Sequence, residues 1–135
     1  MLVLDEQLKD RHLLTAIAVW YPGTVTHIQT LRPATVVKDD NVTALLLTAH
    51  QPTFITINVD DFWRKISPHS GYCILTIDLL QGDFDDLPAQ LRRLFNLPLL
   101  RTRATRMGKI IRVQHKQIRF YERNGQVQEM EWDAS

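Results

Sequence analysis

Short apolar runs that end on acidic or amide residues alternate with helical patterns along most of the chain, and this alternation restricts the fold more than any other feature. Leu2-Val3-Leu4 is followed directly by Asp5, and the run from Thr53 to Ile57 is followed by Asn58, Asp60 and Asp61. Continuous β-branched and apolar runs of this length are typical of strands buried on both faces. The alternation therefore predicts a parallel sheet covered by helices.

The segments between these runs carry apolar residues at helical spacing. We predict one helix over residues 9–20, a second over 42–49 with Asp39 and Asp40 at its start, and a third with Pro88 in its first turn. Further strands are predicted over residues 24–31, 72–77, 109–113 and 117–121. Asn124-Gly125 is a strong two-residue hairpin signal after the last of them.

A chain of 135 residues with 44% hydrophobic residues fits one compact domain. We predict a three-layer α/β/α domain with a central, mainly parallel sheet over residues 1–106. Residues 107–135 are predicted to form a small C-terminal antiparallel extension. The open edge of that extension favours a homo-oligomer.

The sequence also bears on the compartment. The longest apolar stretch near the start, Ala16 to Tyr21, is far shorter than the roughly 20 residues of a bilayer crossing. We expect a soluble, cytoplasmic protein without a membrane partner. The single cysteine, Cys73, lies in an apolar run and is expected to be a small buried hydrophobe, and the five histidines show no metal-ligand spacing.

The formal net charge of +1 conceals an uneven distribution of charge along the chain. Residues 1–91 hold 6 Lys/Arg and 11 Asp/Glu, a net charge of -5, whereas residues 92–123 hold 10 Lys/Arg and one acid, Glu122, a net charge of +9. A basic block beside an acidic body is typical of a protein with a phosphate-rich partner. A solvated sheet face is the simpler alternative.

Acidic residues from three parts of the chain are expected to converge at one edge of the sheet. In an open parallel sheet, sites form beyond the carboxyl ends of the strands, where the strand order reverses. The candidate metal ligands there are Asp5, Asp39, Asp40, Asn58 and Asp60, and the candidate catalytic residues are Asp5, Asp40, Asp60 and Asp61.

Hard oxygen ligands of this kind suit Mg²⁺ or Mn²⁺, which makes metal-dependent phosphodiester cleavage the leading hypothesis. The basic block would then hold the polyanion across the acidic pocket, through Arg101, Arg103, Arg106, Lys109 and Arg112. Each acid also has a structural alternative. Asp39 or Asp40 can simply cap a helix, and Asp60 and Asp61 can stabilise a short turn.

Three ordered segments carry a resemblance to a known family: residues 2–8 (LVLDEQL), residues 39–42 (DDNV) and residues 54–62 (FITINVDDF). They resemble the small stand-alone PIN-like proteins of bacteria. That family has a first strand ending Leu-Asp-Glu-Asn-Leu, an Asp at a mid-chain helix start, and a strand ending Thr-x-Asp-x-Asp-Phe. The likeness continues into the strands after Met107-Gly108 and covers nearly the whole chain.

The resemblance implies the fold of PIN-domain nucleases, which include toxin RNases of toxin–antitoxin modules, and cleavage of RNA with Mg²⁺ or Mn²⁺. It implies Asp5 as the first ligand, Asp39 or Asp40 as the second, and Asn58 with Asp60 or Asp61 as the third cluster. RNA and an antitoxin-like protein are the implied partners. Two departures stand out: Gln7 replaces an Asn, and Asn58, or Val59 in another alignment register, stands where the family commonly has an Asp.

Two other functions remain open from the sequence. Asn58 favours a catalytically weakened module that binds nucleic acid or a protein partner through the basic C-terminal strands. The Asp5-Glu6 pair after the first strand is also found in phospho-receiver domains, although the expected phosphorylatable Asp after the third strand is Asn58 unless Asp60 substitutes for it.

Overall fold

The architecture is that of a computed structural model, which describes residues 1–8, 10–31, 39–78 and 86–132 and, for Asp39 and Asp40, the backbone alone. Within these residues, seven strands form one sheet. They are β1 (Leu2–Leu4), β2 (Val25–His27), β3 (Thr53–Thr56), β4 (Cys73–Ile77), β5 (Ile110–Val113), β6 (Gln117–Tyr121) and β7 (Gln128–Glu131).

In the described part of the chain, six helical segments connect or flank the strands. They are α1 (Arg11–Ala18), α2 (Ile28–Leu31), α3 (Asp39–Leu46), α4 (Val59–Phe62), α5 (Leu87–Leu94) and α6 (Arg103–Arg106), and Glu6–Leu8 forms one further 3₁₀ turn. Helix α1 begins where the side chain of Asp10 accepts a hydrogen bond from the His12 amide. Three of the helices, α2, α4 and α6, are single turns that the sequence analysis did not predict.

The strands lie in the order β2-β1-β3-β4-β5-β6-β7. Strands β1 to β5 pair in parallel, and β6 and β7 pair antiparallel. The order of the parallel strands is one of the common doubly wound arrangements, in which the chain starts in the middle of the sheet and reverses direction between β1 and β3. The predicted α/β class, with a mainly parallel sheet and antiparallel C-terminal strands, is confirmed.

The core consists of two clusters of buried residues on opposite faces of the sheet. Alternate residues of one strand belong to different clusters: Leu2 and Leu4 pack with α1 and α5, whereas Val3 packs with α2, α3 and α4. The same alternation separates Ile55 from Phe54 in β3. Because both faces are covered, the central strands β1, β3 and β4 are buried throughout, which is why they appear in the sequence as continuous β-branched and apolar runs.

Two predicted elements differ from the structure. The strand predicted over residues 24–31 ends at His27, and residues 28–31 form α2. Its neighbour β1 pairs only from Leu2 to Leu4 before the chain turns at Asp5, so a longer β2 would have no partner for its backbone groups. The antiparallel extension is also shorter than predicted, because β5 continues the parallel sheet beside β4.

The C-terminal hairpin forms at the predicted signal, but residues 122–127 connect β6 and β7, so the connection is longer than the predicted two-residue turn. Gly125, between β6 and β7, has a positive φ of 74°, a conformation that glycine adopts without steric cost. Cys73 is fully buried, as predicted, and burial raises the pKa of its thiol to about 12. Within the described residues, we find no helix with the length and apolar character that a membrane crossing requires.

Candidate functional site at the carboxyl edge of the sheet

Asp5 occupies the point where the strand order reverses. It directly follows β1, and its backbone amide donates to the Ile55 carbonyl of β3 at 2.9 Å. The carboxyl ends of β1 and β3 lie side by side at this reversal. A doubly wound sheet has its crevice beyond such a pair of strand ends. The topology therefore places Asp5 where the sequence analysis expected it.

The Asp5 carboxylate is buried and accepts two hydrogen bonds. The residue is 5% exposed. Oδ2 accepts a hydrogen bond from the Thr56 hydroxyl at 2.6 Å, and Oδ1 accepts one from the Glu6 amide at 2.7 Å. Thr56 is the last residue of β3, so the two neighbouring strand ends are joined through this contact.

Burial raises the pKa of Asp5 above its usual value, and the nearby negative charges of Glu6 and Asp61 raise it further. The hydrogen bonds from Thr56 and Glu6 act in the opposite direction. A buried carboxylate with like charges nearby is costly to a fold, and such groups are concentrated at functional sites. The negative charge of Asp5 therefore destabilises the fold, and interactions elsewhere in the protein offset this cost.

Asp60 and Asp61 lie in the first turn of α4, just beyond β3. The Asn58 amide side chain donates to Asp61 Oδ2 at 2.5 Å, and the Asn58 backbone amide donates to the Thr56 hydroxyl at 3.0 Å. The Thr56 hydroxyl thus links Asp5 to Asn58, and Asn58 links this pair to Asp61. Asp60 is exposed on the same turn.

The predicted second ligand position lies at the start of α3. Asp39 and Asp40 begin this helix, as predicted, and α3 leads to the amino end of β3. A helix that returns to the start of the next parallel strand begins near the carboxyl edge of the sheet, and α3 contacts α2, which follows β2 at that edge. The side chains of both residues are outside the described part of the chain.

The donor atoms at this edge suit a hard cation. Asp5, Asn58 and Asp61 present carboxylate and amide oxygens, the ligand type that Mg²⁺ and Mn²⁺ prefer. Within the described side chains, no three of His, Cys, Asp and Glu lie together as a metal-binding group. A complete set of carboxylate ligands would therefore need Asp39 or Asp40.

An ion pair lies at the same edge, and its acidic member, Asp78, was not among the predicted site residues. Asp78 follows β4, and its Oδ2 contacts both Nε and Nη2 of Arg112 at 3.1 Å. Arg112 lies on β5, the next strand of the sheet. The sequence signal for Asp78 was its position directly after a predicted strand, β4, as Asp5 directly follows β1. The charge of Arg112, which was predicted to bind phosphate, is thus compensated by Asp78.

The other four predicted phosphate-binding residues lie at the opposite, amino edge of the sheet. Arg106 is 2% exposed and its Nε donates to the Thr53 hydroxyl, at the start of β3, at 2.9 Å. Asp5 contacts Thr56 at the other end of the same strand, about 10 Å away at 3.3 Å per residue.

The remaining three are Arg101, Arg103 and Lys109. Lys109 pairs with Glu122 at 3.1 Å, whereas Arg101 and Arg103 are exposed. The structure does not bring these residues together with the acids. The expectation that they hold a phosphate chain across the acidic pocket therefore has no support from their positions.

Comparison with known proteins identifies no relative. No protein-family model matches the chain, and no curated protein and no solved structure matches it either.

Proposed function

We propose that the carboxyl edge is the active site of a metal-dependent phosphodiesterase that cleaves RNA, on a three-layer domain of the PIN-like type. The supporting observation is the buried Asp5 carboxylate at the reversal of the strand order, with a raised pKa and with Asp61 nearby. A carboxylate in this position gains most from a cation, because a bound cation offsets both the cost of burial and the repulsion between neighbouring acids.

The chain's own residues would have distinct roles in this site. Asp5 and Asp61, together with Asp39 or Asp40, would hold Mg²⁺ or Mn²⁺. Asp60 would lie near the ion because it is on the same turn as Asp61. The metal would polarise a phosphoryl oxygen and lower the pKa of a bound water. Thr56 would position Asp5 by donating its hydroxyl hydrogen, which keeps the carboxylate available on its other lone pairs. In this reading the partners are RNA and an antitoxin-like protein in the cytoplasm.

A calorimetric titration of Mn²⁺ into the metal-free protein tests the site directly. We expect binding in the wild type, loss of binding in Asp5→Asn, and unchanged binding in Glu131→Gln, a control that removes one exposed carboxylate on β7. Metal-dependent cleavage of RNA should disappear in Asp5→Asn with the fold intact. Equal Mn²⁺ binding by Asp5→Asn and the wild type would exclude Asp5 as a ligand.

A second candidate function is a non-catalytic module that binds nucleic acid or a protein. It is favoured by the contact between Asn58 and Asp61, in which an amide stands in a ligand position and occupies a neighbouring carboxylate oxygen. Replacing Asn58 by Asp tests this alternative. If the chain is a weakened nuclease, Asn58→Asp should gain Mn²⁺ affinity, whereas a module of another origin should gain none.

Ionic strength separates the two kinds of partner. Binding of RNA through Lys and Arg weakens steeply as salt concentration rises, because bound counterions are released from the phosphates. Association with a protein through apolar contacts depends little on salt. A shallow salt dependence of the interaction with RNA would therefore contradict both RNA-based proposals.

A further inference from the structure

A cavity of about 1070 Å³ opens at the amino edge of the sheet, opposite the acidic site. It is formed by the segments that lead into the strands, such as Gly23 before β2, Gln51 before β3 and Met107 before β5, together with the C-terminal ends of α1 and α5. Its volume lies at the upper end of the range of small-molecule sites. The proposed RNA cleavage at the other edge does not use it.

A buried arginine forms part of the cavity wall. Arg106 is 2% exposed, and three of its N–H groups are bound: Nε to the Thr53 hydroxyl, Nη1 to the Leu100 carbonyl and Nη2 to the Tyr21 hydroxyl, at 2.9, 2.9 and 3.0 Å. A guanidinium has five N–H donors, so two remain. All three acceptors are neutral, and none of the described carboxylates pairs with Arg106.

A buried cation without a counter-charge is expensive, and arginine cannot lose its proton to escape that cost. Three more arginines line the same cavity, namely Arg92, Arg101 and Arg103. The last turn of α5 accounts for Arg92, since a helix C-terminus favours a cation. Arg101 donates to the neutral Asn96 carbonyl, and no described carboxylate pairs with Arg103.

No acidic residue is among the described residues that line the cavity. Four positive charges around one opening therefore create a local site for an anion, although the chain as a whole carries a formal net charge of only +1. Guanidinium groups match phosphate oxygens with two parallel hydrogen bonds. A phosphate is one anion that fits this edge.

Aromatic rings form another part of the cavity wall. Trp20, Tyr21 and Phe95 contact one another with ring centroids 6.0 to 6.2 Å apart. The Arg106 guanidinium lies 5.0 Å from the centre of the Phe95 ring and 5.8 Å from that of Tyr21. Nucleic-acid bases stack favourably on such rings.

From this combination we propose that the amino-edge cavity binds a nucleoside phosphate. The phosphate is held by Arg101, Arg103 and the free N–H groups of Arg106, and the base lies against Trp20 and Tyr21. The same chemistry is presented by a free mononucleotide and by the 5′-phosphorylated end of an RNA strand. The proposal does not depend on the acidic edge being a nuclease.

Calorimetry with defined probes tests the proposal. The probes are adenosine 5′-monophosphate, adenosine, inorganic phosphate, and one short oligoribonucleotide with and without a 5′-phosphate. We expect the double variant Arg101→Gln/Arg103→Gln, which changes exposed side chains, to weaken binding of the phosphorylated probes at least tenfold. Arg123→Gln is the matched control, because it removes one exposed arginine in the turn between β6 and β7.

The outcomes separate the sources of the ligand. Tight binding of the mononucleotide, with adenosine inactive, supports a free nucleotide, and binding only of the 5′-phosphorylated strand supports an RNA end. Trp20→Leu should then weaken the nucleotide more than inorganic phosphate. Absence of binding by every phosphorylated probe would overturn the proposal, as would affinity that is unchanged in the double variant or equal for phosphate and nucleotide.

The two proposals fail in different ways. Asp5→Asn should leave binding of the mononucleotide unchanged, because Asp5 lies at the other end of β3. Loss of nucleotide binding in Asp5→Asn with unchanged binding in Arg101→Gln/Arg103→Gln would place the nucleotide at the acidic edge and overturn the amino-edge site. Loss of Mn²⁺ binding alone would bear only on the acidic edge.

Discussion

The two edges of the sheet each bury one charged side chain, and they differ in how that charge can be relieved. Asp5 lies at the carboxyl edge with Glu6 and Asp61 nearby, and Arg106 lies at the amino edge in a cavity that three more arginines line. Both side chains are at most 5% exposed, and each contacts one threonine of β3. The same strand thus carries an acidic site at one end and a basic one at the other.

The chemistry of the two groups makes the edges unequal. A carboxylate in an unfavourable place can take up a proton, and the raised pKa of Asp5 reflects this tendency. A guanidinium stays charged at any accessible pH, so its burial is relieved only by hydrogen bonds or by an anion. The charge of Asp5 is therefore sensitive to pH and to cations, whereas the charge of Arg106 does not titrate and is balanced only by hydrogen bonds or by an anion.

The largest effect is expected at the basic edge. Arg106→Ala removes three hydrogen bonds and the contacts of the guanidinium with Phe95 and Tyr21, and we expect it to lower the free energy of unfolding by about 3 kcal/mol. Urea denaturation measures the change. Arg123→Ala, which removes an exposed arginine, should stay within about 0.5 kcal/mol of the wild type. Equal stability of Arg106→Ala and the wild type would mean that the free-energy cost of burying the charge equals the stabilisation from its hydrogen bonds.

A smaller effect of opposite sign is expected at the acidic edge. In Asp5→Asn the side-chain oxygen can still accept from Glu6, and the new amide can donate to the Thr56 hydroxyl. We expect Asp5→Asn to raise the free energy of unfolding at neutral pH by about 1 kcal/mol, a size common for single stabilising substitutions. Urea denaturation of both proteins at neutral and at acidic pH measures the difference.

The pH dependence follows from the direction of the pKa shift. Because the pKa of Asp5 is higher in the folded than in the unfolded protein, the folded state binds this proton more tightly. The stability that Asp5 contributes is complete below the unfolded pKa of about 3.9 and is lost as the pH rises through the folded value. The advantage of Asp5→Asn should therefore vanish as the pH falls towards 3.9. If Asp5→Asn is more stable than the wild type by the same amount at all pH values, the charge of Asp5 is not the cause of the gain.

The smallest of the three effects is expected at Asp78, and it sharpens the comparison because this acid has a basic partner. Asp78→Asn removes the charge that compensates Arg112, so it should lower the free energy of unfolding by about 0.5–1 kcal/mol, the size for a partly exposed pair. The same Asp-to-Asn change at two strand ends of one sheet thus has opposite signs. Stabilisation by Asp78→Asn would show that the desolvation of the pair exceeds its attraction.

Much of the fold was predictable because it rests on local patterns. The run from Thr53 to Ile57 indicated a strand buried on both faces, and Asn124-Gly125 indicated a hairpin. The single-turn helix α2 was not predictable from composition, because residues 28–31 favour a strand until the short partner β1 leaves them without hydrogen bonds. Strand ends depend on the length of the neighbouring strand, which is a property of the sheet.

The candidate site was predictable in part for the same reason. An acid directly after a buried strand indicated Asp5, whatever the strand order. The hydroxyl of Thr56 gave no such signal, because its role depends on β1 and β3 being neighbours. Arg106 was predicted as a surface contact for phosphate from its place in a basic block, and the block does not show which of its arginines turns inward.

The sequence alone determined the α/β class, the acids at the strand ends and the basic C-terminal block, because each depends on residues that are close together in the sequence. Only the tertiary structure decided that the acids and most of the predicted basic residues lie at opposite edges of the sheet. Residues far apart in the chain meet according to strand order and direction, and β3 alone places Thr53 beside Arg106 and Thr56 beside Asp5. The sequence shows how many charges of each sign the chain carries. The topology of the sheet determines which of these charges lie together.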